Sequence, residues 1–332
     1  DCDHTMDQKD IMRKLTEDYD ITVDRKSIKA NLDCLFDYGY EIECTKTERI
    51  KKDGTKEIIT SNWYYNHEFD DSELRMMIDS ILFSKTIPAG QASELIKKIA
   101  GLSNIYFTNK MTHVSSLPGL EHTSNQQTLY NVGLIDDAIS EKKQISFVYN
   151  NYWEDKKLHP RREEPYIVNP YQMVANDGKY YLVCNYDKYD TLSNYRVDKM
   201  TQVKIINKPA KKRDKVKGME HGLNLPKHMA EHIYMFADEP VTIILRVKKS
   251  AISDIVDWFG SNFDVVDESI ARQYDGFRET TDAVTYVRLV CSRQAMSHWA
   301  MQYGTSVEVI YPTELRTQIG EAVKEMNNRY ND

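Results

Sequence analysis

The chain has 332 residues, 29% of them charged and 41% hydrophobic, and a formal net charge of −7 at pH 7. That length predicts two or three soluble domains rather than one core, and no apolar run approaches a membrane span or reads as a signal sequence. The acidic balance excludes a globally basic nucleic-acid binder, so any such affinity has to come from a local patch.

Residues 1–5 read as a loop entering a first helix over 6–19, whose apolar face is marked by Ile11 and Leu15. Residues 16–23, with Thr22 near their end, connect it to a second, charged helix over 24–35. There Asp24 suits the N-cap, and Ile28, Leu32 and Leu35 fall at i, i+4, i+7 as a narrow apolar stripe. Arg25, Lys26, Ser27, Lys29 and Asn31 point elsewhere and are of the types that read base edges. A hairpin follows, with strands over 41–49 and 56–65 and a type I′ turn expected at Asp53-Gly54, because both central residues of that turn need positive φ. Lys46, Arg49, Lys51, Lys52 and Lys56 gather around the turn against Glu48 and Asp53, a basic cluster suited to phosphates. Together these elements predict a winged helix-turn-helix whose second helix enters the major groove. A plain surface helix beside a solvated basic hairpin is the structural alternative. Such a motif ordinarily has a further helix before the first, and that helix is expected to be missing upstream.

Asp70, Asp71, Ser72 and Glu73 open a third helix through Leu74, Met77, Ile78, Ile81 and Leu82, and Pro88 separates it from a fourth through Ala92, Leu95, Ile96 and Ile99. This pair predicts a hinge or a dimer seam, and residues 103–127 read as a long connection. A helix through Leu129, Val132, Ile135 and Ile139 then leads into short strands over 144–149, 164–174, 180–186 and 193–197, with Asp177-Gly178 as another tight turn. One helix followed by many short strands predicts a small β-barrel or strongly bent sheet. The basic run over 204–217, with Lys208, Lys211, Lys212, Arg213 and Lys215, reads as a solvated linker, with contact to a DNA backbone as the alternative. The last hundred residues alternate strand and helix in the order βαββαβ with a terminal helix, which predicts a ferredoxin-like sandwich.

Little enzymatic chemistry is visible. No Gly-x-Gly pair, Walker loop or Gly-x-Ser-x-Gly elbow occurs, so the reading is against an enzyme and against a nucleotide cofactor. Five scattered cysteines, Cys2, Cys34, Cys44, Cys184 and Cys291, form no C-x-x-C pair and read as reduced thiols of a cytoplasmic protein without a zinc site. His228 and His232 lie four apart with Glu231 between them and His221 nearby, but the spacing is not H-E-x-x-H and no third ligand is fixed, so a polar linker turn is the preferred reading.

Gly178-Lys179-Tyr180-Tyr181-Leu182, after Val168-Asn169-Pro170-Tyr171 and before Asn194-Tyr195-Arg196-Val197-Asp198-Lys199-Met200, resembles the WYL domain of bacterial transcriptional regulators. Tyr180 stands where that family has its tryptophan. Asp257-Trp258-Phe259-Gly260 and Trp299-Ala300-Met301-Gln302-Tyr303-Gly304 resemble the C-terminal extension that often follows it. The resemblance implies an α+β multidomain chain: a winged helix-turn-helix over 1–66, a helical linker or dimerisation region over 67–127, and an Sm-like (SH3-type) WYL barrel over 128–210. A basic linker over 211–235 and the ferredoxin-like extension over 236–332 complete it. It further implies a homodimer that binds a double-stranded DNA operator and responds to an anionic effector, such as a nucleotide or oligonucleotide, in the barrel.

Period two on strand 194–198 sets Asn194, Arg196 and Asp198 on one face, and Tyr149, Tyr171 and Tyr181 stand on neighbouring strands. A guanidinium beside an amide, a carboxylate and phenols can hold an anion or stack a base, and His159, Arg161 and Arg162 add positive charge. The structural alternatives are an Arg196–Asp198 ion pair and tyrosines that serve the core, since the chain has 22 tyrosines. The rival function is a single-stranded nucleic-acid-binding accessory protein, as in phage defence, with the barrel as its working surface.

Overall fold

The computed structural model describes residues 1–110, 123–274, 276–279, 281 and 283–331. The chain divides into two compact units, Asp1–His122 and Thr123–Asp332.

In the first unit, α1 (Gln8–Tyr19) starts at Asp7, with Asp10 closing a capping box. α2 (Arg25–Asp37) starts where the Asp24 carboxylate accepts the backbone N–H groups of Lys26 and Ser27. Burial on α2 is narrower than its apolar stripe: Ile28 is buried and Leu32 half-buried, whereas Leu35, Phe36 and Tyr38 are exposed. β1 (Ile42–Ile50) and β2 (Lys56–Tyr65) pair antiparallel, and Met6 adds a bridge to Trp63 on β2. The hairpin tip departs from the expected type I′ turn, since of Asp53 and Gly54 only the glycine takes positive φ, at 82°. Gly54 N–H donates to the Lys51 carbonyl and Lys51 N–H to that of Thr55, a three-residue loop in which the glycine is the left-handed residue. The Asp53 carboxylate accepts both the N–H and the hydroxyl of Thr55, an Asx turn that holds the tip.

α3 (Asp71–Phe83) and α4 (Ala89–Ala100) pack through Leu74, Ile78, Leu82 and Ala100. The connection expected after them contains a further helix, α5 (Ile105–Lys110), started by the Asn104 side chain and anchored by buried Phe107. Ser115, Ser116, Leu117, Pro118 and Gly119, singled out in the same connection, lie outside the described residues.

The second unit begins with α6 (Thr128–Ser140), laid over a curled six-stranded sheet. Its strands are β3 (Lys143–Tyr152), β4 (Leu158–Pro160), β5 (Tyr166–Asn176), β6 (Lys179–Asn185), β7 (Leu192–Arg196) and β8 (Met200–Pro209). The order is β4-β3-β5-β6-β7, with β8 on the other edge of β3, and among the described residues β7 and β8 form no ladder. The sheet is therefore a half-barrel open along that seam. Its core joins Ile135 and Ala138 of α6 to Ile145, Phe147, Val168, Leu182, Val197 and Met200, with Phe147 stacked on Tyr166 at 5.5 Å. The β5–β6 turn has both Asp177 and Gly178 at positive φ, 47° and 67°, as a type I′ turn requires.

The basic run is not a solvated linker. Its first part is β8 itself, and its remainder docks: Lys211 donates to Asp190 and the Tyr189 carbonyl, Arg213 to the Tyr171 carbonyl, and Tyr171 Oη to the Lys211 carbonyl. Val216 and Met219 are buried against Tyr171. The reason is local: this stretch interleaves apolar anchors with lysines that find carboxylates on the 187–190 loop, so both kinds of side chain are satisfied by docking.

After α7 (Leu225–Glu231), a four-stranded antiparallel sheet has the order β10 (Phe263–Val266), β11 (Val284–Ser292), β9 (Pro240–Lys248), β12 (Val307–Tyr311). On one face α8 (Ile252–Phe259), α10 (Arg293–Gln302) and α11 (Thr313–Asn331) bury Ile255, Phe259, Trp299 and Leu315 against Ile243, Leu245 and Val247. On the other face Ile244, Tyr286 and Ile310 meet Ala271 of a short α9 (Glu268–Ala271).

A polar knot at the edge of the core ties the half-barrel: buried Gln144 and Asn169 both donate to the exposed Asp187, which also accepts from Lys208. Lys208 first, then Asn169 and Gln144, hold the Asp187 carboxyl down to about 2 against the opposing effect of partial burial. A depressed folded-state pKa gives stability that is fully present above the unfolded value near 4 and is lost as pH falls through about 2. Acid titration monitored by circular dichroism should show such a loss between about pH 4 and 2, shallower in Asp187→Asn than in the parent.

Candidate functional site

The most constrained polar arrangement in the half-barrel is the 3-10 turn Val197–Lys199 that follows β7. Asn125 donates to the carbonyls of Asp198 and Met200, Asn131 to that of Met200, and Asn150 to that of Lys199. Three asparagines from before α6, from α6 and from β3 thus fix the backbone of one turn. The Asp198 side chain, 2% exposed, accepts two hydrogen bonds from Arg196, Nε at 3.1 Å and Nη2 at 2.7 Å. This planar two-point contact is the ion-pair geometry at its strongest. Burial works against the Arg196 charge, but the Asp198 bonds outweigh it and hold its pKa above the usual arginine value.

Around this pair the fold gathers further groups. The Tyr149 hydroxyl accepts the backbone N–H of Arg196 at 3.4 Å, and burial pushes its pKa up to about 12, with Arg196 partly opposing. Burial also raises Tyr181, on the strand paired with β7, while Arg196 acts to lower it. Lys199 is depressed by burial first and then by the charges of Arg196, Arg161 and Lys179, with Asp198 opposing. Lys179 pairs with Asp177 at 2.9 Å and Arg161 N–H donates to the Tyr149 carbonyl. Lys179 and Arg196 are thus each paired with a carboxylate, Asp177 and Asp198, and Lys199 sits 6.0 Å from the Tyr152 ring. Such a field favours an anion, and the phenol rings offer planar surfaces beside it.

Of the residues singled out in the sequence, Tyr149, Arg161, Tyr181, Arg196 and Asp198 come together, and three do not. Tyr171 is taken up by the docked basic run, because its ring lies on the opposite stretch of β5 with Val216 and Met219. His159 pairs with Asp155 at 2.8 Å and stacks on the exposed Trp153 at 4.5 Å, since the β3–β4 hairpin carries it to the tip. Asn194 donates to the Met235 carbonyl, because β7 runs past the 217–240 segment before it reaches Arg196. Sequence reasoning missed Lys179 and Lys199. The signal for Lys199 was present in its place beside Asp198, and that for Lys179 in its place after the turn glycine.

In the first unit, Thr22, Arg25, Lys26, Lys29 and Asn31 are exposed along the start of α2 and the loop before it. Arg25 is also structural: its Nε donates to buried Gln8 of α1 at 2.6 Å. Ser27 is half-buried and its hydroxyl donates to the capping Asp24, so it serves the helix start. On the hairpin Lys56 pairs with Glu48 at 3.0 Å and Lys51 with Glu57 at 3.5 Å, both exposed and worth little. Lys46, Arg49 and Lys52 are exposed and, among the described residues, make no ion pair.

Replacing Arg196 by Ala leaves the Asp198 carboxylate buried without its partner and should cost about 3 kcal/mol of stability, read as a shifted urea midpoint. Lys199→Ala and Arg161→Ala should stay within about 0.5 kcal/mol of the parent in the same assay.

No curated protein matches the sequence. Among solved structures, the chain is similar to the proteasome accessory factor B/C (PafBC) of Arthrobacter aurescens, at 13% identity and TM-score 0.29, over 97% of this chain and 46% of that one. The chain thus spans less than half the length of that protein. It is also similar to a structure described as a CRISPR Cas-related protein, at 14% identity and TM-score 0.40, over 95% of this chain and 76% of that one. By family model, residues 131–205 match the WYL domain and residues 239–326 the WCX domain, so the half-barrel and the four-stranded sheet with its helices are a WYL domain and a WCX domain.

Proposed function

We propose that this protein is a nucleic-acid-sensing transcriptional regulator, in which α1, α2 and the hairpin form a winged helix-turn-helix that binds a DNA operator and the WYL domain takes an anionic effector. The observation that carries the reading is the cation cluster of Arg161, Lys179, Arg196 and Lys199 beside Tyr149 and Tyr181 within the matched WYL region. In this reading Lys26, Lys29 and Asn31 read the groove, and the hairpin cations Lys46, Arg49, Lys51, Lys52 and Lys56 neutralise phosphates. The WCX domain is of ferredoxin-like type, the working form is a homodimer in the cytoplasm, and the effector is a nucleotide or nucleic-acid fragment. Such an effector shifts the operator equilibrium only by binding one state of the dimer better than the other.

A second reading is favoured by one specific feature. Trp153 is 63% exposed on the β3–β4 hairpin and stacked on His159, an arrangement that a single-stranded base can extend. Here the WYL domain is the main nucleic-acid surface of an accessory protein.

Binding of the full chain to duplex and single-stranded DNA across a salt series separates the two. The regulator reading expects one duplex site held against competitor DNA and weakened by Lys26→Ala/Lys29→Ala, and a logarithmic salt slope that falls by about 1 in the hairpin variant Lys52→Ala. Sequence-indifferent binding to single strands, lost in Trp153→Ala and unaffected by the α2 changes, overturns it. Lys199→Ala/Arg161→Ala should leave operator binding intact and weaken a nucleotide effector by about tenfold or more.

A further inference from the structure

Half of α11 packs and half does not. Along it Leu315, Ile319, Ala322, Val323, Met326 and Tyr330 are apolar or small, and at 3.6 residues per turn these fall within one stripe of about 100°. Leu315 is buried in the core of the WCX domain, and Ile319 packs against that core. Val323, Met326 and Tyr330 stand in line with them but are 51%, 48% and 85% exposed, and every residue over 323–331 is exposed. The helix thus continues past its domain for roughly 14 Å, at 1.5 Å per residue. A helix end surrounded by water is ordinarily polar on all sides, and so short a piece has little stability of its own. An apolar stripe that runs on in register with the buried one fits a face that another helix covers.

The flanks of the stripe say which helix. Glu325 and Arg329 border it on one side and pair with each other one turn apart. Asn327 and Asn331 lie toward the other side, where the Asn331 amide donates to Asn327. In an antiparallel pair of identical helices related by a two-fold axis, like flanks meet, whereas in a parallel pair unlike flanks meet. The charged flank is therefore complementary to its own reversed copy, and a parallel pair would set its charges against asparagines. With the axis beside Met326, each Glu325 faces the Arg329 of the other copy, each Val323 faces the other Tyr330, and the two Met326 side chains meet. The ion pairs and the apolar contacts thus call for the same register. Such a contact closes at two copies. Two helix ends of this length bury less than the roughly 1,200 Å² of a standard interface, so on their own they hold a dimer with a Kd of about micromolar order.

We propose that the projecting half of α11 is a self-association seam that pairs antiparallel with α11 of a second copy of this chain, through Val323, Met326 and Tyr330 and through crossed Glu325–Arg329 ion pairs. The seam rests on the homodimer of the preceding reading and names where that dimer forms. Sedimentation velocity on the full chain from about 1 to 200 µM tests it. A reversible monomer–dimer equilibrium is expected, with its midpoint moved about tenfold or more to higher concentration by Val323→Glu/Met326→Glu. Both side chains are exposed in the single chain, so the melting temperature of the dilute variant should equal that of the parent. Glu325→Arg, which gathers four arginines around the axis, should weaken association likewise, and the exchange Glu325→Arg/Arg329→Glu should restore it, since the crossed pairs reform only when both copies carry the change. A dimer unaffected by Val323→Glu/Met326→Glu overturns the seam and leaves the homodimer standing. A chain that stays monomeric across the range overturns both. An exchange variant that fails to recover overturns the antiparallel pairing, because it sets α11 against a surface other than its own copy.

Discussion

The ion pair between Arg196 and Asp198 is the constraint on which the half-barrel's polar face depends. A carboxylate that is 2% exposed is tolerable only because a guanidinium meets both its oxygens, and that meeting requires the turn between them to hold one shape. Asn125, Asn131 and Asn150 fix that shape by taking the turn's carbonyls from three directions. The same turn sits where the sheet stays open between β7 and β8, where hydrogen bonds of a closed barrel would otherwise do this work. Side-chain amides substitute for a missing ladder, and cations collect where the backbone is already held.

A second organising theme is that the joints between elements are polar and specific. The chain leaving β8 does not hang free; it is fastened by lysine and arginine contacts to one loop and one strand, with Val216 and Met219 pressed beneath. Further on, Ile233, Tyr234 and Phe236 pass into the core of the WCX domain. The segment between the domains is therefore shared by both cores, and movement of one is felt by the other through side chains rather than through a slack tether.

Much of this was legible in the sequence where local chemistry and fold agree. Asp24 at the start of α2, the Asp177-Gly178 turn and the period-two strands of the WCX sheet each follow from rules that act within a few residues. β8 was not legible, for two reasons. Its lysines mimic a solvated run, and a bulge at Gln202, with φ at 54°, breaks the alternation that would betray a strand. Tyr171, His159 and Asn194 lie apart from the other site residues for a different reason. Asn194 and Arg196 do share a face of β7, but one end of that face meets the 217–240 segment and the other meets Tyr149 and Tyr181, a division that depends on contacts distant in sequence. Tyr171 was lost to the same kind of long-range partner, the docked basic run.

The region from α1 to the hairpin has an uneven apolar economy. Ile28 and Trp63 are its deeply buried large side chains among the described residues, while Tyr19, Leu35, Phe36, Tyr38 and Tyr40 stay exposed. A core that small gives a shallow free-energy well, in which local opening is cheap and amides exchange readily. Whatever requires this region in one conformation must therefore offset the entropy lost on ordering it, so its affinity is governed as much by how often the region is already composed as by the contacts it then makes.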